Sequence, residues 1–205
     1  MSHDIKIERM ILTLVVFLAS VSFLAYEVTW NRILGLYLGT TVHASTIVIS
    51  AFMGGLGIGA YFWGKRTTLS KHPVKILTFI ILALSAINIV TYHLLMLIPD
   101  MYGILSSGTE ISVFTEIIVY AYSLLSILGS AFFIGGIMPA ASRIYIELGN
   151  EVSDSLGNTY AADTLGSAVG GMLTGFVLLG MTGMSGTVYL FSILNIFIAV
   201  FFFRY

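Results

Sequence analysis

Long runs of apolar residues, separated by short polar segments, divide this chain into six parts. The runs cover residues 10–29, 42–64, 75–98, 113–138, 159–181 and 185–203. A helix needs about 20 mostly apolar residues to cross a bilayer, and each run reaches or approaches that length. The pattern predicts an all-α membrane protein, a bundle of six transmembrane helices that forms one integral membrane domain over residues 1–205.

Two segments beside the first apolar run need separate interpretation. Residues 30–41 contain glycine, asparagine and arginine, and they are either an extension of the first helix or a short interfacial helix. The run itself is not followed by a small-residue cleavage site, so we expect the first span to be retained. The lipid bilayer is therefore the first predicted partner.

Composition agrees with this pattern and excludes several functions. The chain is 58% hydrophobic and 9% charged, and its mean hydropathy is +0.99. With a net charge of -1 and no basic run, it has no surface suited to nucleic acid. It contains no cysteine, and His43 and His93 are isolated from other metal-binding side chains. We therefore expect no metal site, no cofactor and no catalytic residue.

The positive charges predict how the helices are oriented. Short cytoplasmic loops are enriched in Lys and Arg. With the amino terminus in the cytoplasm, eight of the nine basic residues lie inside and only Arg32 lies outside. The loop 99–112, which has no Lys or Arg, then faces outward. Both termini are predicted to be cytoplasmic, in a multi-pass protein of the cell inner membrane.

Glycine pairs four residues apart predict where helices pack closely. Such pairs place two bare patches on one helix face, which allows a neighbouring backbone to approach. We expect the second and fifth spans to be tightly packed, and Pro139 to kink or end the fourth span before Arg143. The predicted packing residues are Gly55, Gly59, Gly166, Gly170, Gly171 and Gly175.

Glu27 and Asp163 are the most informative residues because both fall in or beside apolar spans. Glu27 shares a helix face with Asn31, whereas Arg32 lies about 140° away at about 100° per residue. Glu27 is either part of a polar cavity for a cationic ligand or proton, or half of a buried ion pair that fixes packing. Asp163 either caps the start of the fifth helix or forms a cytoplasmic-side gate or ligand contact that it shares with Arg143. The candidate ligand-binding residues are Glu27, Asn31, Arg32, Arg143 and Asp163.

Three separated segments resemble a known family. They are 26-YEVTWNRILG-35, 51-AFMGGLGIGA-60 and 157-GNTYAADTLGSAVGG-171, and they occur in the order seen in the membrane domain of fused transporter/spermidine-synthase-like proteins. Pro139 with Arg143, and residues 180–187, also fit that family. Asp163 departs from it, because relatives often carry Asn at this position.

The resemblance implies a bundle similar to half of a major-facilitator transporter. In that family the helices often precede a soluble aminopropyltransferase-like domain, and the sequence printed here carries no such catalytic domain. We therefore expect a non-catalytic, transporter-like protein that binds or passes a small polar or cationic ligand, with polyamines as the implied class. The alternatives are a structural or assembly subunit of a larger membrane complex, a homo-oligomer among them, and a membrane anchor for a separate aminopropyltransferase-like enzyme.

Overall fold

Helices joined by short turns, with no strand, make up the parts of the protein that the structure describes, which are residues 3–105, 112–149 and 151–204 of a computed structural model. Six helical segments are long and apolar enough to cross a membrane. The six predicted spans are therefore confirmed, although each observed segment is longer than its apolar run. Their bounds are Ile5–Tyr37, Thr41–Leu69, Pro73–Leu105, Val113–Glu147, Val152–Met181 and Gly183–Arg204.

The first three spans contain four helices. Helix α1 covers His3–Tyr37, so residues 30–37 extend the first helix instead of forming a separate interfacial one. Helix α2 covers Thr41–Leu69, and α3 covers Pro73–Met96. The short helix α4, Ile98–Leu105, occupies the first half of a segment predicted as an external loop. The second half of that loop, residues 106–111, lies outside the described residues.

The last three spans are interrupted by local changes in helical winding. The fourth span consists of α5, Val113–Ile134, and α6, Ile137–Glu147, which meet at Gly135 and Gly136. The fifth consists of α7, Val152–Leu173, a π-helical turn at Thr174–Leu178 and the short α8, Leu179–Met181. The sixth is α9, Gly183–Arg204.

Local sequence explains several of the helix ends. The Thr40 hydroxyl accepts a hydrogen bond from the His43 amide at 3.3 Å and caps α2, and Ser112 caps α5 in the same way. Pro73 opens α3, where its missing N–H costs nothing. Gly39 has a φ of +68°, a left-handed conformation that favours glycine and turns the chain from α1 into α2.

Three close helix pairs form the bundle, namely α1 with α7, α2 with α5 and α3 with α9. Helix α1 also contacts α9 and α2, and its large side chains Tyr26 and Trp30 are fully buried. Polar side chains join the helices in the interior. The Ser130 hydroxyl donates to Asn88 Oδ1 at 2.6 Å between α5 and α3, and Ser85 donates to the Ser192 carbonyl at 2.6 Å between α3 and α9.

Glycine lies at the tightest crossings of two of these pairs. Gly55 and Gly59 place α2 against the backbone of α5 around Ala131 and Phe132. Gly166 and Gly170 place α7 against the carbonyls of Phe17 and Val21 in α1. The remaining predicted packing glycines meet side chains instead, Gly171 that of Leu24 and Gly175 that of Val28.

Candidate functional site

Asp163 lies in the middle of a transmembrane helix and not at its start. Helix α7 begins at Val152 after the cap residue Glu151, so Asp163 is in the fourth turn. The predicted role as a helix cap is therefore wrong, because the free amides and the dipole effect are confined to the first turn. The predicted start of the fifth span at residue 159 was too late, because residues 152–158 are mostly polar or small yet helical.

Ser20 of α1 binds the Asp163 carboxylate directly. The Ser20 hydroxyl donates to Asp163 Oδ1 at 2.6 Å, and Ser20 is 1% exposed. Gly166, one turn after Asp163, brings the two helices close enough for this short polar contact. The hydrogen bond joins the first and fifth spans near their midpoints.

These two side chains open into a cavity of about 230 Å³. Its walls come from α1, α2, α7 and the α5–α6 junction, so four spans contribute to it. The lining residues are Ser20, Phe23, Leu56, Ala60, Ile134, Gly135, Ile137, Met138 and Asp163. Asp163 is the single charged residue among them, and the cavity therefore offers a negative charge in otherwise apolar surroundings.

Glu27 lies two helical turns from Ser20 on the same face of α1. Seven residues separate them, which is about 10 Å along the axis and nearly a whole number of turns. Glu27 is half-buried, and within the described part of the chain its carboxylate has no hydrogen bond or ion pair. A carboxylate in that position is costly unless water or a ligand reaches it.

Asn31 and Arg32 line a second cavity near the other end of α1, of about 390 Å³. The Asn31 side-chain oxygen Oδ1 accepts a hydrogen bond from the Ser45 hydroxyl at 3.2 Å, which links α1 to α2. Arg32 is exposed and, among the residues described, has no ion-pair partner. Glu27 lies between the two cavities along α1 and is not among the residues that line either one.

Arg143 is not brought to Asp163. It forms an ion pair with Glu147 one turn later in α6, at 3.1 Å, and both side chains are about two-fifths exposed. Among the described residues, neither Asp163 nor Glu27 is paired with the arginine expected to balance it. A surface pair such as Arg143–Glu147 contributes little to stability.

The sequence pattern did not predict that Ser20 and the α5–α6 junction belong to the candidate site. The signal for Ser20 was its spacing of seven residues from Glu27, which places both on one helix face. Pro139 was expected to break the fourth span, but the break lies four residues earlier, and the helix continues through Arg143 to Glu147. No group of three or more His, Asp or Glu residues that could hold a metal ion occurs in the described residues.

No protein-family model, curated protein or solved structure matches this chain. Function is therefore inferred from the side chains and cavities described above.

Proposed function

We propose that this protein is a non-catalytic, transporter-like membrane protein that binds or passes a small cationic or polar ligand at Asp163. The observation that carries the proposal is the Asp163 carboxylate, which faces a cavity near the midpoints of four spans and is bound there only by the Ser20 hydroxyl among the described residues. Glu27, on the same side of α1 as Ser20, is the second proposed contact.

The electrostatic argument favours a cation. An acidic side chain at the centre of a membrane helix costs roughly 2.5–3.5 kcal/mol on insertion scales. One hydroxyl donor offsets part of that cost, but no basic side chain of the described chain neutralises Asp163. A bound cation would supply the missing charge. The resemblance to spermidine-synthase-like proteins makes polyamines the first ligands to test.

The proposal includes an orientation. We propose that both termini are cytoplasmic and that the protein lies in the cell inner membrane, because eight of nine basic residues then face the cytoplasm. A similarity to half of a major-facilitator transporter remains part of this proposal.

Binding of radiolabelled spermidine to the purified protein in nanodiscs tests this function. We expect saturable binding that Asp163→Asn and Glu27→Gln each weaken at least about tenfold, or about 1.4 kcal/mol. Asp154→Asn is the matched control, because Asp154 is exposed in the first turn of the same helix. Thermal unfolding of each variant verifies that it folds. Absence of binding, or equal binding to all four proteins, would contradict the proposal for polyamines at this site.

A role as an assembly subunit is the second proposal, and the fifth span favours it. Only 17% of its most apolar stretch is buried, compared with 56% in the first span. Tyr160, Leu165, Met172 and Phe176 are exposed on this span.

Native mass spectrometry of the protein in a mild detergent separates the alternatives. A stoichiometric foreign membrane protein supports a complex subunit, a soluble methyltransferase-fold partner supports the enzyme anchor, and a monomer or homodimer with a small bound molecule supports the ligand site.

A further inference from the structure

Among the described residues, the junction between α5 and α6 leaves one backbone carbonyl, that of Gly135, without a hydrogen bond. Pro139 has no N–H, so it cannot bond to the carbonyl of Gly135 four residues earlier. The Gly135 amide donates to the Ala131 carbonyl and the Gly136 amide to that of Phe133. Within the described residues, no donor reaches the Gly135 carbonyl oxygen.

The junction is held in this form by its neighbours. A side chain at Gly135 would collide with the Leu56 carbonyl of α2, and one at Gly136 would collide with the Trp63 ring. Unbonded backbone at membrane depth is tolerated only where it lies inside the protein or beside a polar cavity. Ile134 and Gly135 both line the Asp163 cavity.

The cavity therefore collects several kinds of oxygen ligand. Asp163 provides a carboxylate, and Ser20 provides a hydroxyl whose proton is directed to Asp163, so its lone pairs remain available. Gly135, which lines the same cavity, provides a free carbonyl. Interrupted transmembrane helices bind Na⁺ through this combination of freed carbonyls and side-chain oxygens.

We infer that the cavity between Asp163, Ser20 and the α5–α6 junction binds a monovalent alkali metal ion. The inference rests on the proposed function, because it assigns a specific cation to the same cavity. The ion would neutralise Asp163 and use the Gly135 carbonyl that the helix break frees.

Charge balance selects a monovalent ion. A single carboxylate neutralises one positive charge, whereas Ca²⁺ sites normally collect several carboxylates. The first amides of α6 also lie at the junction and would favour an anion. Asp163 opposes this, because its own negative charge occupies the same cavity. A volume of about 230 Å³ leaves room for an ion that keeps several waters, at about 30 Å³ for each water.

Thermal unfolding of the whole protein in detergent, without any amine, tests the site. A ligand that binds only the folded state must raise the unfolding temperature. NaCl and KCl are each compared with choline chloride at equal ionic strength. We expect NaCl, KCl or both to raise the unfolding temperature in a saturable way, with an apparent affinity that Asp163→Asn weakens at least about tenfold.

Pro139→Ala provides an independent variant. It keeps the carboxylate but restores an N–H that can bond to the Gly135 carbonyl. We expect it to weaken the response to the ion several-fold while the protein remains folded. Asp154→Asn is the control and should respond as the unmodified protein does. The site is refuted if neither salt differs from choline, or if Asp163→Asn and Pro139→Ala both respond normally.

The two proposals fail separately. Spermidine binding without any alkali-ion response would refute the ion site and leave the proposed function intact. An alkali-ion response lost in Asp163→Asn, without spermidine binding, would support the ion site and refute the polyamine ligand.

Discussion

Individual glycines, which have no side chain, determine how closely the helices of this protein approach one another. At Gly59, a Cβ atom would overlap the carbonyl of Phe132 in α5, whereas at Gly57, two residues earlier in α2, it would meet nothing within 4 Å. Both residues are helical, so they differ in packing and not in backbone conformation. The pair therefore separates the effect of close contact from that of helix propensity.

We expect Gly59→Ala to destabilise the protein and Gly57→Ala to leave it unchanged or slightly more stable. Overpacking a close contact costs about 1–3 kcal/mol. Replacing glycine by alanine in a helix otherwise gains about 0.5–1 kcal/mol. Unfolding in detergent, monitored by intrinsic fluorescence, measures the difference. Equal stabilities would show that α2 and α5 can separate at Gly59 at little cost.

At the scale of whole elements, irregular winding explains what the apolar pattern could and could not predict. Six spans were predictable because each must bury its backbone polar groups in a helix. The break in the fourth span was placed too late, because a proline disrupts the bond to the carbonyl four residues before it and not at its own position. The start of α7 was also placed too late, and this error concealed the position of Asp163 in the membrane interior.

The π-helical turn in the fifth span was not predictable, because no proline or distinctive sequence marks it. It begins at Thr174, which is fully buried and whose hydroxyl has no partner in the described part of the chain. Such turns occur often at functional sites. The partner of Ser20 was equally hidden, since a contact between residues 143 positions apart depends on the packing of α1 and α7.

Thr174→Val should therefore be neutral or stabilising. It replaces an unpaired buried hydroxyl, which costs about 1–3 kcal/mol, by a methyl group of similar shape. Thr91→Val is the matched control, because the buried Thr91 hydroxyl donates to the Ser126 carbonyl at 3.1 Å between α3 and α5. We expect that variant to lose about 0.6 kcal/mol. Equilibrium unfolding in mixed micelles measures both, and a greater loss for Thr174→Val would indicate a water or ligand at the π-helical turn.

For the whole molecule, the distribution of charge predicts orientation, and the absence of cysteine makes that orientation measurable. Helix α7 begins the fifth span and α9 begins the sixth. Because successive spans cross the membrane in opposite directions, these two helices start at opposite ends of the bundle. Ser153 and Ser185 are exposed near those two starts. Replacing either serine by cysteine gives a variant with one cysteine and disturbs no buried contact.

We expect a membrane-impermeant maleimide to label Ser185→Cys in intact cells and to label Ser153→Cys only after the cells are opened. The reason is that Arg143 and the basic residues at 65–75 lie at the same end of the bundle as Ser153, and short loops rich in Lys and Arg remain in the cytoplasm. Labelling after solubilisation verifies that both thiols are reactive. The opposite pattern would reverse the orientation and place Arg143 and the basic residues at 65–75 outside the cell. Equal labelling of both in intact cells would mean that the protein inserts in two orientations, in which case the charge bias is too weak to direct it.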